Sequence, residues 1–215
     1  MLFVMTTAGA TQRALTADEY LVLERASPTR HAFLVGEIFD MSGGSREHSL
    51  IGANFVGELR AALRGRPCEV HGPDLRIHIP RTGLYTYADA LVVCGRVEFA
   101  DDVRDTLLNP AAVVEVLSDS TEAYDRGEKF HHYRSVPSLG HYVLASQRKV
   151  LVEHFARQPD GSWAFVVLGP GERLVIGQEG ANFLGDAGDG LPGLVVDPGR
   201  LLQRHRHIVI DPALF

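Results

Sequence analysis

The spacing of apolar and polar positions changes several times along the chain, and each change predicts an element. Thr16-Ala17-Asp18-Glu19 has the Thr-x-x-Glu spacing of a capping box. It predicts a helix carrying Tyr20, Leu21, Leu23 and Glu24 that stops before Pro28. Residues 33–41 read as one strand, broken by Gly43-Gly44-Ser45. Ile51, Phe55, Leu59, Ala62 and Leu63 then fall on one face at helical spacing and predict a helix over 47–63. Short strand-like runs follow at 68–71, 75–79, 90–94 and 112–117. The second alternates apolar and polar, as a half-exposed strand does. The last two are almost continuously apolar, as central strands covered on both faces are.

Asp125-Arg126-Gly127-Glu128 reads as another helix cap, opening a helix through Tyr133 that ends before Pro137. Residues 141–145 and 150–155 read as strands. Asp160-Gly161 marks the turn of a hairpin into 163–168. The Gly- and Pro-rich stretch 177–199 holds one more strand-like run, 194–196, before a short basic helix near 200–206. No repeat, low-complexity tract or linker interrupts the pattern. The expectation is one α+β domain over 1–215, with residues 1–13 a flexible lead-in, helices flanking a mixed sheet, and a β-rich C-terminal extension. The edge strands left open by the stretch 141–168 further predict a homodimer.

Composition narrows the classes of function. With 215 residues, 45% hydrophobic and 22% charged, the chain is ordinary for a globular domain. Its formal net charge of −6 argues against a general nucleic-acid coat protein, so any nucleic-acid contact must come from a local patch or a metal-assisted site. Arg60, Arg64 and Arg66 sit where a helix C-terminus suits cations, which explains them without a phosphate. Cys68 and Cys94 are too few for a disulfide scaffold or a zinc ribbon, and both lie in apolar runs. They read as buried reduced thiols in a cytoplasmic protein. The apolar start 1–5 lacks the basic region and length of a signal peptide, and no run is long enough to span a membrane.

Several chemistries have no support. There is no phosphate-cradling Gly-Lys-Ser loop, no dinucleotide fingerprint and no nucleophile elbow. Adjacent His131 and His132 cannot make an i, i+4 metal pair. His205 and His207, or Asp186 and Asp189, match no metal-binding spacing. One constellation remains. Asp89 leads into the apolar run 90–94, and Glu115 interrupts the apolar run 112–117. A carboxylate in mid-strand is costly to bury unless a cation or donor meets it. Taken singly, each acid reads as well as a strand-end acid in water or a salt-bridged core acid as it does as a site residue. Side by side, the two strands would converge two carboxylates, the oxygen-rich arrangement Mg²⁺ or Mn²⁺ prefers.

The motifs Gly36-Glu37-Ile38, His48, Tyr87-Ala88-Asp89, Val114-Glu115-Val116-Leu117-Ser118 and the run 125–133 resemble the Uma family of restriction-endonuclease-like bacterial proteins. That family belongs to the PD-(D/E)XK nuclease superfamily. The resemblance covers about residues 14–200 and is most specific over 109–133. It implies a mixed sheet flanked by helices, a Mg²⁺- or Mn²⁺-dependent endonuclease with DNA as substrate, Asp89 as the motif's first acid and Glu115 as its second. A non-catalytic binding or assembly module built on the same fold is the alternative. Ala88 stands where a proline usually precedes the first acid. Leu117 stands where a lysine usually follows the second, on the same strand face as Glu115. In the family a lysine on the following helix is thought to substitute, and Lys129 matches it. Glu37, interrupting an apolar run, is implied as a further metal-site acid, and His48 as an accessory donor in the same cleft.

Overall fold

The structure, a computed structural model, describes residues 13–41 and 43–176 and the backbone of 194–196. Helix α1 (Ala17–Ala26) opens as its capping box predicts: the Thr16 hydroxyl accepts from the Glu19 amide, and the Glu19 carboxylate accepts from the Thr16 amide. The run expected as one strand over 33–41 is instead a hairpin, β1 (His31–Leu34) and β2 (Glu37–Asp40). Its two-residue turn puts Val35 at φ 48° and Gly36 at φ 93°, the left-handed pair such a turn demands. Gly36 has a second reason to be glycine, because a Cβ there would lie 2.6 Å from that of Ala14. Val35 is a poor turn residue, which is why the sequence pattern hides the turn.

Helix α2 (Arg46–Ala62) is capped by Ser45, whose hydroxyl accepts from the His48 amide. β3 (Cys68–His71), β4 (Arg76–Ile79), β6 (Ala90–Cys94) and β8 (Ala112–Leu117) form as expected. β5 (Leu84–Tyr87) and the short β7 (Thr106–Leu107) were not legible. The C-terminal half adds β9 (His141–Ser146), β10 (Val152–Arg157), β11 (Trp163–Leu168) and a separate hairpin of β12 (Leu174–Ile176) with β13 (Leu194–Val196). The basic helix expected near 200–206 and most of the lead-in 1–13 lie outside the described residues.

Two mixed sheets result, not one. The first runs β2-β1-β5-β4-β7 and the second β11-β10-β9-β8-β6-β3. β8 and β9 are parallel, joined by a helical crossover, and β6 lies antiparallel on the other side of β8. β8 is therefore interior, and all six of its residues are buried. Val114 and Val116 pack toward Ile51, Phe55 and Leu59 of α2. Val113 and Leu117 pack on the opposite side, with Tyr133 and with Ile77 and Leu84 of the first sheet. Alternation along one strand thus feeds two cores, and Glu115 enters the second of them.

The cysteines correct the expectation of free thiols. Cys68 and Cys94 face each other across β3 and β6 and form a disulfide, S–S 2.08 Å. Two apolar runs read one at a time conceal a pairing that only strand register creates. Among the described residues, no helix is long and apolar enough to cross a membrane.

Candidate active site

The polypeptide between β8 and β9 builds one side of the site. It begins as a short helix α3 (Glu122–Tyr124), widens into a π-turn over Asp125–Lys129, and continues as α4 (Phe130–Tyr133). Asp125 is therefore not the helix cap its neighbours suggest. Its amide already donates to Thr121, and its side chain is buried inside the helical segment. Spacing of four along a helix puts Asp125, Lys129 and Tyr133 on one face, above β8.

Lys129 and Tyr133 reach Glu115, and Asp125 reaches Lys129. The Lys129 Nζ lies 2.8 Å from Glu115 Oε1 and 3.6 Å from Asp125 Oδ1, and it donates to the Tyr87 carbonyl at 3.3 Å. The Tyr133 hydroxyl donates to Glu115 Oε1 at 3.2 Å. Lys129 is thus neither near the first turn of its helix nor a solvated partner of Asp125: it is only 5% exposed. Leu117, at the position where a lysine was missing, is packed in the apolar core on the same face as Glu115. The ammonium beside Glu115 comes from the helix instead.

Asp89 forms the more open half. One carboxylate oxygen accepts from the Val116 amide at 2.7 Å, which pins it against the end of β8. The other is 2.8 Å from His48 Nε2. Gly52, one helical turn past His48, lies over Asp89, where a Cβ would make an ordinary contact at 3.7 Å with the Asp89 Cβ. A Cβ on Gly44 would lie 2.7 Å from the His48 Cδ2, so a side chain there would have to displace the ring. His48 Nδ1 is buried and has no hydrogen-bond partner. Ser45, besides capping α2, donates to Gln147 in the β9–β10 turn, so the helix start is tied to the far side of the site.

Electrostatics follow from burial. Burial pushes the Glu115 carboxyl up to about 8, against the pull of Lys129 and with Asp125 and Asp89 adding to the rise. Burial works against the Lys129 ammonium as well, yet Glu115 and Asp125 outweigh it and hold its pKa above the ordinary value. The hydrogen bond to Asp89 raises His48 despite burial. Burial and the neighbouring Glu115 push the Tyr133 hydroxyl well up, so it remains a donor.

The structure therefore brings together Asp89, Glu115, Lys129 and His48. Glu37 is exposed on β2, the outermost strand of the other sheet, and no described contact links it to this cluster. Asp125 and Tyr133 belong to the cluster but were missed. The i, i+4, i+8 spacing of Asp125, Lys129 and Tyr133 was the signal that could have found them. Among the described residues, no three of His, Cys, Asp and Glu converge closely enough to hold an ion by themselves. The donor set still fits a divalent cation of the kind that takes one or two protein carboxylates and fills its remaining positions with water and phosphate oxygens. Asp89, Glu115 and Asp125 share one ammonium and one imidazole.

Comparison with known proteins places the family and the fold. The profile of the Uma2 family, described as "Putative restriction endonuclease", matches residues 17–183. An uncharacterized protein of Synechocystis sp., slr1290, is 36% identical over 177 residues, covering 80% of this chain and 90% of that one. A second from the same organism, sll1609, is 33% identical over 159 residues, covering 74% and 90%. The crystal structure of a "putative nuclease belonging to DUF820" from Anabaena variabilis superposes with a TM-score of 0.65 at 16% identity, covering 87% of this chain and 97% of that one. At that identity the likeness is one of fold.

Proposed function

The chain belongs to the Uma2 family of restriction-endonuclease-like proteins, and from that premise we propose that it is a metal-dependent endonuclease hydrolysing DNA phosphodiester bonds. The observation that carries this reading is the buried Lys129, 2.8 Å from Glu115, standing in for the strand lysine that Leu117 replaces. A buried ammonium surrounded by acids is costly unless its charge is used. Asp89 and Glu115 would hold Mg²⁺ or Mn²⁺. The bound ion would polarise the scissile phosphate and make water a better nucleophile. Lys129, kept protonated by its acidic neighbours, donates a hydrogen bond to the attacking water or to the phosphate oxygen that gains charge. It is not a base. His48 fixes one Asp89 oxygen while the Val116 amide fixes the other, so the carboxylate keeps its orientation with lone pairs to spare. As an accessory donor, His48 lies at the open edge of the site. Glu37, exposed on β2, keeps only a water-mediated part.

Two further features belong to this reading. β11 is a free edge of the second sheet, with Phe165, Val166 and Val167 each about half exposed, which supports the homodimer. The cytoplasmic setting rests on the DNA substrate alone, since the Cys68–Cys94 disulfide removes the reduced thiols that first suggested it. The alternative, a non-catalytic binding module, drew its support from Leu117, and Lys129 removes most of that support. The experiment is cleavage of supercoiled plasmid and of a single-stranded oligonucleotide with Mg²⁺ or Mn²⁺. The wild type cuts and Asp89→Asn does not; a wild type inert on both substrates would favour the binding module.

A further inference from the structure

We propose that Tyr142 is a positioning residue: its hydroxyl holds the π-turn that delivers Lys129 to Glu115. The inference rests on the nuclease reading only for what Lys129 does, not for how it is held. Tyr142 lies on β9, fully buried, and its hydroxyl donates to the Asp125 carbonyl at 2.8 Å. Asp125 is the first residue of the π-turn and Lys129 the last. Among the described residues, no other side chain bonds a backbone atom of 125–129.

The physical case begins with the turn. A π-turn carries one residue more than the α-helical turn it replaces, with poorer hydrogen-bond geometry, so it persists only where its surroundings favour it. Here a hydroxyl from the facing strand engages its first carbonyl. The ring bearing that hydroxyl is itself fixed, stacked on Phe130 with centroids 5.2 Å apart and tilted against Tyr133 at 5.4 Å. Relaxation to a regular helix would remove the extra residue and rotate the α4 end of the segment by about 100° relative to the α3 end. With α3 held in place, Lys129 and Tyr133 would turn together away from Glu115. The strand opposite the helix therefore sets the helix's register at the site.

The test is Tyr142→Phe, which removes one oxygen and keeps the ring stack. In its crystal structure the segment 125–129 is a regular α-helix and the Lys129 Nζ has left its 2.8 Å contact with Glu115. In DNA cleavage, kcat falls by ~10- to 100-fold while KM is kept, because a displaced donor weakens the transition state more than substrate binding. The rise in Tm with Mn²⁺ persists, since both carboxylates remain. Asp105→Asn, in the ion-pair cluster beside α1, is the control: it lowers Tm and leaves kcat near wild type. An intact π-turn and Lys129–Glu115 contact in Tyr142→Phe would overturn the proposal, as would a kcat equal to wild type or an equal kcat loss in Asp105→Asn. Should the wild type cut no DNA, the catalytic reading of Lys129 falls, and the Tyr142→Phe structure alone decides whether Tyr142 holds the turn.

Discussion

Two clusters of charge lie within this fold, and they are built on opposite principles. Beside α1, Arg25 pairs with Asp101 at 2.6 Å and Asp105 at 2.8 Å, and the buried Arg76 reaches Asp105 at 3.1 Å. Two guanidiniums meet two carboxylates, and the Arg76 guanidinium lies over the rings of Tyr20 and Tyr87. The charges balance, and Arg25 draws Asp105 below the usual carboxylate range, to about 2, although Arg76 Nε and Nη1 are buried without a hydrogen-bond partner. Around Lys129, one ammonium meets Glu115 and Asp125 directly, with Asp89 close enough to act on both. There burial pushes an acid up instead of a neighbouring cation drawing it down. A balanced cluster ties elements together. A buried one in which acids outnumber the ammonium is, on the proposed reading, open to a divalent ion.

The contrast can be broken most forcefully at the lone ammonium. Lys129→Ala lowers kcat by ~10²-fold or more if the ammonium serves the transition state, while Mn²⁺ still raises Tm. Adding Leu117→Lys puts an ammonium back on the same strand face as Glu115 and recovers part of the rate in plasmid cleavage. No recovery, with the double variant folded, would mean the two positions do not serve one cleft.

The next effect is a dependence on pH. The Glu115 carboxyl is raised in the folded protein, from 4.5 to about 8, so between those values the folded state holds a proton that the unfolded state has lost. Stability from this group is therefore lost as pH rises across that window, by at most ~1.4 kcal/mol per pH unit. Glu115→Gln abolishes the slope. Without added metal, its stability relative to wild type increases from pH 5 to pH 8 in urea unfolding. A constant difference would show that the carboxyl is ionised throughout.

The balanced cluster sharpens the comparison with a smaller change. Asp105→Asn leaves Arg76 buried with a weaker partner and costs roughly 2 kcal/mol of stability. It leaves both the Mn²⁺-induced rise in Tm and the cleavage rate untouched. A loss of metal response there would show that the two clusters are not separate.

The same contrast explains what could be read from the sequence. Asp89 and Glu115 were legible because a carboxylate in an apolar run is conspicuous, and Lys129 because a resemblance pointed to it. The strands 90–94 and 112–117 were legible because continuous apolar runs have few other uses. Asp125 was mistaken for a cap because its neighbours, Arg126, Gly127 and Glu128, look like a helix start; nothing local signals a π-turn. The hydroxyls of Tyr133 and Tyr142 act across elements, as does the Cys68–Cys94 bond, and such pairings come from register. Val35 hid a hairpin turn by occupying a backbone conformation that β-branched residues rarely adopt.

The most direct measurement of the central claim is the melting temperature of wild type and Asp89→Asn with and without Mn²⁺. An ion bound only by the folded protein stabilises it by mass action, by ~2.7 kcal/mol at a hundredfold excess over Kd. The account predicts a rise of several degrees in the wild type, roughly 2–4 °C for each kcal/mol in a chain of this size, and little or none in Asp89→Asn. An equal rise in both proteins would place the ion elsewhere, and no rise in either would contradict the reading of the acid-rich cluster as a metal site.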